Sequence, residues 1–172
     1  MEAIELLHAG RLAEQVDRLA HHAARGELWA KAVTYLHQAG LKATARSASR
    51  EAVTFVEQAL AALGRLPETP EPIAQGIDLR FDLHSALIPL GDLDRILDVL
   101  RKAEWRAQEL GDQHRLGRVS AFMATCYWWM GEPDRAVESV ERARDIAAAL
   151  GDAALDALIA QRLGQAYATL GE

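Results

Sequence analysis

Hydrophobic residues recur along the middle of the chain at the spacing of an amphipathic helix, and a glycine ends the run. Leu79, Leu83 and Leu87 are four residues apart, so they share one face of a predicted helix that stops at Gly91. Asp92 follows directly. A short acidic side chain is a favoured N-cap because its oxygen accepts hydrogen bonds from the free backbone amides of the first turn. The pattern therefore predicts one helix that ends near Gly91 and a second that begins after Asp92.

The same alternation of apolar runs and turn residues continues through the rest of the chain. Gly111 ends the next helix and Asp112 caps the one after it, while Pro133 occupies a first turn, where its missing amide costs no hydrogen bond. The abundance of Ala and Leu over β-branched residues also favours helix. We predict helices near residues 11–25, 28–46, 49–64, 71–90, 92–110, 113–130, 133–149 and 152–170.

The turn residues repeat with a period of 40 residues. Gly91, Gly131 and Gly171 share that spacing, and the tripeptide Leu-Gly-Asp at 110–112 recurs at 150–152. A fixed period of this length is typical of repeat proteins, in which each helix pair buries its faces against its neighbours. The sequence therefore predicts an all-α fold, an α-solenoid in which antiparallel helix pairs stack along a concave inner wall.

The predicted organisation is one continuous solenoid in three stretches. Residues 1–66 form helical hairpins that keep half the period, with alanines recurring every 20 residues. Residues 67–72 are rich in proline, and residues 73–172 hold two and a half repeats of 40 residues. The proline-rich stretch is either a rigid turn between repeats or a subdomain boundary. We favour the turn, because Thr69 and Pro70 fit an N-cap and a first helical position.

The last predicted helix contains Leu163-Gly164, then Tyr167 and Gly171. This pattern resembles the signature of tetratricopeptide (TPR) repeats, in which Leu-Gly, Tyr and Gly mark the first helix of each pair. The resemblance covers about residues 71–172 and implies a right-handed superhelix whose first helices line a groove. The early Trp of the signature is missing, and the 40-residue period resembles the extended repeats of kinesin light chains and of bacterial signal-transduction ATPases.

A second resemblance covers residues 19–67. This stretch is similar to the start of the repeat region in large bacterial proteins that carry a class III adenylate/guanylate cyclase domain and an AAA-type ATPase domain. The resemblance implies a regulatory or assembly region of a multidomain signalling protein. No cyclase or ATPase motif occurs in the chain, so no catalytic residue is carried over from that family.

In a TPR-like fold, positions spaced three, four and three apart on the first helix of each pair face the groove. The alternate face is predicted to be core and carries Leu83, Leu87, Met123, Tyr127, Leu163 and Tyr167. The candidate partner-binding residues are Asp78, Phe81, Ser85, Ile88, Arg118, Ala121, Thr125, Trp128, Leu158, Gln161, Gln165 and Ala168, together with Trp129 beside Trp128.

Trp128 and Trp129 form the most informative dipeptide of this wall. Adjacent helix positions diverge by about 100°, so we do not expect both indoles to be fully buried in one core. One interpretation is an aromatic anchor for a peptide or helix, since Trp is enriched among the residues that contribute most to interfaces. The other is packing between helices. Arg118 is predicted to lie on the Trp128 side, where it would pair with an acidic group of the ligand.

Composition narrows the partners and the compartment. The formal net charge is −6 with no cluster of Lys and Arg, which argues against nucleic acid, and no apolar run is long enough to span a membrane. A single cysteine, Cys126, allows no internal disulfide and favours a reducing compartment. The N-terminus lacks the basic and apolar regions of a signal peptide. We therefore expect a cytoplasmic protein that binds neither nucleic acid nor membranes.

The polar residues contain no catalytic or metal-binding motif. His21 and His22 are adjacent and point about 100° apart, so they cannot share an ion without other ligands. Cys126 lies in mid-helix, away from any helix N-terminus that would lower its pKa. Asp92, Asp94 and Asp98 fit helix capping and the helix dipole better than a calcium loop. With no glycine-rich phosphate loop either, we expect no enzyme activity, no metal and no cofactor.

The chain ends after the first helix of a pair, which leaves Leu163 and Tyr167 without a covering helix. We therefore expect a fragment of a larger protein, or an end that another copy of the chain covers. The leading hypothesis is a scaffold that binds a protein, a peptide or other domains of its own parent chain. The alternatives are a solenoid that senses a small ligand and a free-standing adaptor.

Overall fold

The computed structural model describes residues 19–20, 22–23 and 25–169, with side chains as far as residue 162. Every regular element in this part of the chain is helical. The α-helices are α1 (Trp29–Ala45), α2 (Ser49–Leu63), α3 (Pro70–Leu87), α4 (Leu93–Leu110), α5 (Gln113–Trp129), α6 (Pro133–Leu150) and α7 (Ala153–Thr169). The prediction of an all-α fold is confirmed for these residues, and the predicted helices match them to within a few residues at each end.

One predicted helix is too long. The segment that we expected to continue to residue 90 leaves the α conformation after Leu87 and finishes in a 3-10 turn, Ile88–Leu90. Pro89 explains the change, because proline has no amide hydrogen and its ring clashes with the carbonyl one helical turn earlier. The helix predicted near residues 11–25 lies mainly outside the described residues.

The turns around α4, α5 and α6 follow the predicted chemistry. Gly111, Gly131 and Gly151 have φ values of 65°, 75° and 62°, in the left-handed region that glycine enters without a steric penalty. Asp92 and Asp112 precede α4 and α5, and their carboxylates accept backbone amides of the first turn at 3.2 and 2.9 Å. The local sequence therefore determines these helix ends.

The described chain divides into two compact units between Gly91 and Asp92. The first unit contains α1 to α3 and the 3-10 turn, and the second contains α4 to α7. Within each unit, helices that are consecutive in sequence pack against each other. The proline-rich stretch at residues 67–72 lies inside the first unit, where it joins α2 to α3.

In the first unit, α1 and α2 form an antiparallel pair around a small residue. A Cβ placed on Gly40 of α1 would lie only 2.8 Å from Val56 Cγ2 of α2, so glycine allows the two backbones to approach closely. The third helix also packs against α1, where His37 Nε2 lies 2.7 Å from Asp82 Oδ2. The contact between His37 and Asp82 thus joins two helices that are not consecutive in sequence.

In the second unit, α5 is the central helix. It contacts α4, α6 and α7, and every residue from 119 to 127 is buried. A Cβ on Gly117 would lie 2.5 Å from Leu155 Cδ2 and 3.0 Å from Ile146 Cγ2, so three helices meet closely at this glycine. The predicted core residues that the structure describes are all buried, namely Leu83, Leu87, Met123 and Tyr127. The side chains of Leu163 and Tyr167 lie outside the described part of the chain.

Candidate functional site

A cleft of about 280 Å³ opens on the second unit between α5, α6 and α7. Its surface is mainly apolar, with charged side chains at the rim. The lining residues are Ala121, Ala124, Thr125 and Trp128 from α5, Ala136, Val137, Val140, Glu141 and Arg144 from α6, and Ile159 and Arg162 from α7.

A few close contacts establish the direction and register of the helices around the cleft. Gly117, near the start of α5, faces Ile146, near the end of α6, and Arg135 at the start of α6 donates to Tyr127 Oη at 2.8 Å. These two helices are therefore antiparallel. Gly117 also faces Leu155 near the start of α7, so α5 and α7 are parallel. Residues later in α5 thus lie level with residues earlier in α6.

One end of the cleft is apolar and partly open to solvent. Trp128 lies near the end of α5 and is half-buried, and Val137 on the facing part of α6 is 53% exposed. Ala124 and Ala136 line the space between them, and their short side chains leave it unfilled. Covering apolar surface of this kind with another apolar group lowers the free energy of the complex.

The other end of the cleft carries charge. Arg144 and Glu141 are exposed on α6, one helical turn apart, and Arg162 reaches the cleft from α7. The guanidinium carbon of Arg162 lies 4.8 Å from the centroid of the Phe122 ring, and burial lowers the pKa of this arginine. With the residues that the structure describes, Arg144 forms no ion pair or hydrogen bond. Among the residues that line the cleft, two therefore carry positive charge and one carries negative charge.

Three of the predicted partner-binding residues line this cleft, namely Ala121, Thr125 and Trp128. Thr125 is buried at the floor, where its hydroxyl hydrogen-bonds the Ala121 carbonyl oxygen at 3.4 Å. The other candidates of this unit lie outside the lining: Arg118, Trp129 and Leu158 are half-buried, and Gln161 is exposed. Trp128 and Trp129 are thus both only half-buried. The side chains of Gln165 and Ala168 are outside the described residues.

The four candidates in the first unit differ in exposure. Phe81 is buried in the core and does not lie on an exposed wall, because α3 packs against both α1 and α2. Ser85 is exposed and donates its hydroxyl hydrogen to the Phe81 carbonyl at 2.9 Å. Asp78 and Ile88 are half-buried.

The cleft wall contributed by α6 was not predicted, because only the first helix of each pair was expected to line the groove. Val137 nevertheless carried a usable signal. The apolar stripe that packs α6 into the unit consists of Ala136, Val140, Ala143 and Ala147, and Val137 lies beside this stripe without belonging to it. A β-branched apolar residue off the core face is a candidate for contact with a partner.

A second, polar cavity of about 190 Å³ lies between α4, α5 and α6. Its arginines already have partners in the same unit. Arg142 of α6 forms an ion pair with Glu104 of α4, and the guanidinium carbon of Arg135 lies 4.1 Å from the centroid of the Tyr127 ring. We interpret this cavity as a structural seam that holds three helices together.

The remaining reactive groups fit structural roles. The Cys126 thiol is buried, lies 3.7 Å from the Leu93 carbonyl oxygen, and burial raises its pKa to about 11. A thiol of this kind is a poor nucleophile near neutral pH. Among the described residues, no group of three or more His, Cys, Asp or Glu side chains is placed to hold a metal ion. In the same part of the chain, we find no helix with the length and apolar character to cross a membrane.

No protein-family model matches the sequence, and no curated protein matches it either. The resemblances to TPR repeats and to cyclase-associated repeats therefore stay predictions. The geometry of the cleft carries the functional argument.

Proposed function

We propose that the chain is a non-catalytic interaction module whose cleft between α5, α6 and α7 binds a bulky apolar side chain of a partner protein or peptide. The observation that carries the proposal is the unfilled apolar end of the cleft, where Trp128 and Val137 flank a space lined by alanines. Burial of apolar surface contributes about 25 cal/mol per Å². A side chain that fills this space therefore gains free energy without a change in the fold.

The size of the cleft favours a side chain over a larger ligand. A volume of about 280 Å³ lies just below the range of roughly 300–1,000 Å³ that small-molecule sites occupy. It accommodates one or two large apolar side chains. Trp128 adds a rigid aromatic surface of the kind that is enriched in interface hot spots.

A small-ligand sensor is the second candidate, and the charged rim favours it. Arg144 and Arg162 both line the cleft, so a small apolar molecule with a carboxylate would meet complementary groups at both of its ends. A change in the packing of α6 against α7 on binding would then be the signal.

The wider role that we propose is a scaffold within a cytoplasmic, multidomain signalling protein of the cyclase and ATPase type. The resemblance of residues 19–67 to repeat regions of such proteins supports this role, as does the arrangement in helix pairs. The partner would be a separate protein, a peptide or another domain of the same parent chain. A free-standing adaptor is the alternative arrangement of the same module.

Peptide selection on the purified chain tests the proposal. Peptides selected from a random display library on the wild type should lose at least about tenfold in affinity when Val137→Asp places a charge in the apolar end. Trp128→Ala should weaken the same peptides. Trp105→Ala is the matched control, because Trp105 is 58% exposed on α4 and lies outside the cleft lining. Fluorescence anisotropy gives the affinities, and equal binding to all variants would contradict the proposal.

A further inference from the structure

The register of the helices separates the charged end of the cleft from its apolar end. Ile146 of α6 faces Gly117 of α5, and the two helices are antiparallel. Arg144, two residues before Ile146, is therefore level with residue 119 of α5, which is nine residues before Trp128. At about 1.5 Å per residue, the two levels are roughly 13 Å apart along the cleft. The guanidinium of Arg162 lies over the Phe122 ring, about three residues from the level of Arg144 and six from Trp128.

Positive charge at the polar end is unusual for this chain, whose formal net charge is −6. Arg162 is half-buried, so its interaction with an incoming anion is screened less than that of a fully exposed charge. Arg144 is exposed on the neighbouring helix and has its charge available. Glu141 offsets one of the two positive charges and would repel a second anion. The arrangement therefore favours one carboxylate.

The volume of the cleft favours an extended occupant. An α-helix with its side chains is about 10 Å across, which is wider than a cleft of about 280 Å³ that extends over roughly 13 Å. An extended segment rises about 3.3 Å per residue, so roughly four residues connect the two ends.

We propose that the cleft recognises an extended peptide segment with a bulky apolar residue and one Asp or Glu about four residues away. The apolar residue packs between Trp128 and Val137. The carboxylate accepts hydrogen bonds from Arg144 and Arg162, with the bidentate geometry that guanidinium groups offer. This inference rests on the proposed peptide-binding function and adds a sequence specificity to it.

Peptides of defined spacing test the specificity. The probes are fluorescein-labelled decapeptides with one Trp and one Glu in a background of Ala, Gly and Ser, and the Glu is placed two to seven positions from the Trp. Binding to the full chain is followed by fluorescence anisotropy. We expect the tightest binding at a spacing of about four, and at least about a tenfold loss when the Glu is replaced by Gln, because a hydrogen bond to a charged group contributes more than a neutral one.

Charge reversal on the protein provides the second arm. Arg144→Glu reverses the charge at the polar end and leaves the apolar end intact, and it should weaken the Glu peptide by at least about tenfold while favouring a Lys peptide. Arg101→Glu is the matched control, because Arg101 is exposed on α4 outside the cleft lining and the change in net charge is the same. Thermal melts followed by circular dichroism establish that each variant is folded.

The outcomes separate this inference from the function on which it rests. Binding that depends on Val137 but not on Arg144 or on the position of the Glu overturns the specificity and leaves peptide binding intact. No binding of any peptide overturns both. 4-Phenylbutyrate, an aromatic ring joined to a carboxylate by a short chain, is the small-molecule arm. If it binds more tightly than every peptide, the occupant is a small carboxylic acid and the peptide assignment is wrong.

Discussion

The two units make left-handed turns from different residues. In the second unit these positions are Gly111, Gly131 and Gly151. In the first unit Glu27 and Ser47 adopt φ values of 54° and 58°, and its last residue, Gly91, has a φ of 70°. A residue with a Cβ in this region costs roughly 1–2 kcal/mol, because the Cβ approaches a carbonyl oxygen. Two turns of the first unit therefore keep strained residues, whereas the corresponding turns of the second unit have glycine.

The helix N-termini differ in the same way. Ala48 precedes α2 with φ −86° and ψ 63°, close to the φ −79° and ψ 89° of Asp112 before α5, but Ala48 has no side-chain oxygen to accept an amide. The backbone follows the same path with and without a capping side chain. Aspartate therefore lowers the cost of a turn geometry that the chain also adopts without it.

The largest expected effect comes from contrasting two glycines. Gly117→Leu should lower the free energy of unfolding by about 1–3 kcal/mol, because even its Cβ would lie within 3.0 Å of side chains on α6 and α7. Gly64→Leu in the first unit should change it by less than about 0.5 kcal/mol, since Gly64 is right-handed and a Cβ there meets only ordinary contacts of 3.6 and 3.7 Å. Urea unfolding measures both, and equal losses would contradict the role of Gly117.

The second effect is the loss of a cap. Asp112 Oδ1 accepts a hydrogen bond from the backbone amide of Arg115 at 2.9 Å, and Asp112 Oδ2 lies 2.5 Å from Nη1 of the Arg115 guanidinium. Asp112→Ala should therefore lower the free energy of unfolding by about 1–2 kcal/mol at neutral pH, in the upper part of the range for N-caps. Asp112→Asn, which retains a capping oxygen but loses the charge, should lower it by less.

This effect should depend on pH. Burial alone would raise the pKa of Asp112, but hydrogen bonds from Arg115 and its positive charge, with a smaller contribution from His114, bring the pKa below its ordinary value. The unfolded pKa is about 3.9, so the contribution of the carboxylate is complete well above that pH and is lost as pH falls through the lower folded value. The difference between wild type and Asp112→Ala should be constant from about pH 5 to 7 and shrink below about pH 4. An undiminished difference at pH 2 would contradict this account.

The third effect tests the left-handed turns in both directions. Gly111→Ser should lower the free energy of unfolding by about 1 kcal/mol, and Ser47→Gly should raise it by a similar amount, because the backbone strain exceeds the entropy that glycine loses on folding. A Cβ on Gly111 has no atom within 4 Å, so the change acts through the backbone alone. If Ser47→Gly destabilises the chain, the strain assigned to the first unit is absent.

The smallest effect adds a cap to the first unit. Ala48→Asp should raise the free energy of unfolding by about 0.5 kcal/mol, since the backbone at residue 48 already has nearly the conformation of a capping aspartate. The gain is smaller than the loss at Asp112 because the residue three positions on is Glu51, whereas Asp112 has Arg115 there. Thermal melts of Ala48→Asp and the uncharged Ala48→Asn separate capping from charge. No gain in either variant would show that the turn geometry differs from that of the second unit.

Helix positions were predictable because glycine and aspartate act on their own turns. The cleft was predictable only in part, and the residues found, Ala121, Thr125 and Trp128, all lie on one face of one helix. The part of the cleft that α6 forms depends on how α5 and α6 are aligned. Side-chain contacts between the two helices set this alignment, and a local sequence pattern does not reveal it. The same holds for His37 and Asp82, which are distant in sequence and meet through the packing of α3 on α1.

The unbroken burial of residues 119–127 in α5 has a consequence for the opening motions of the second unit. Each residue of this segment is at most 6% exposed, so we expect its amide hydrogens to exchange with solvent mainly when neighbouring helices separate from it. The exchange rates of these amides therefore report the cooperative opening of the whole unit, whereas the outer faces of α4 and α6 exchange through smaller fluctuations. We expect the amides in the middle of α5 to exchange most slowly in this unit. Their exchange rates would therefore serve as a reference for measuring how a partner in the adjacent cleft changes the opening of the unit.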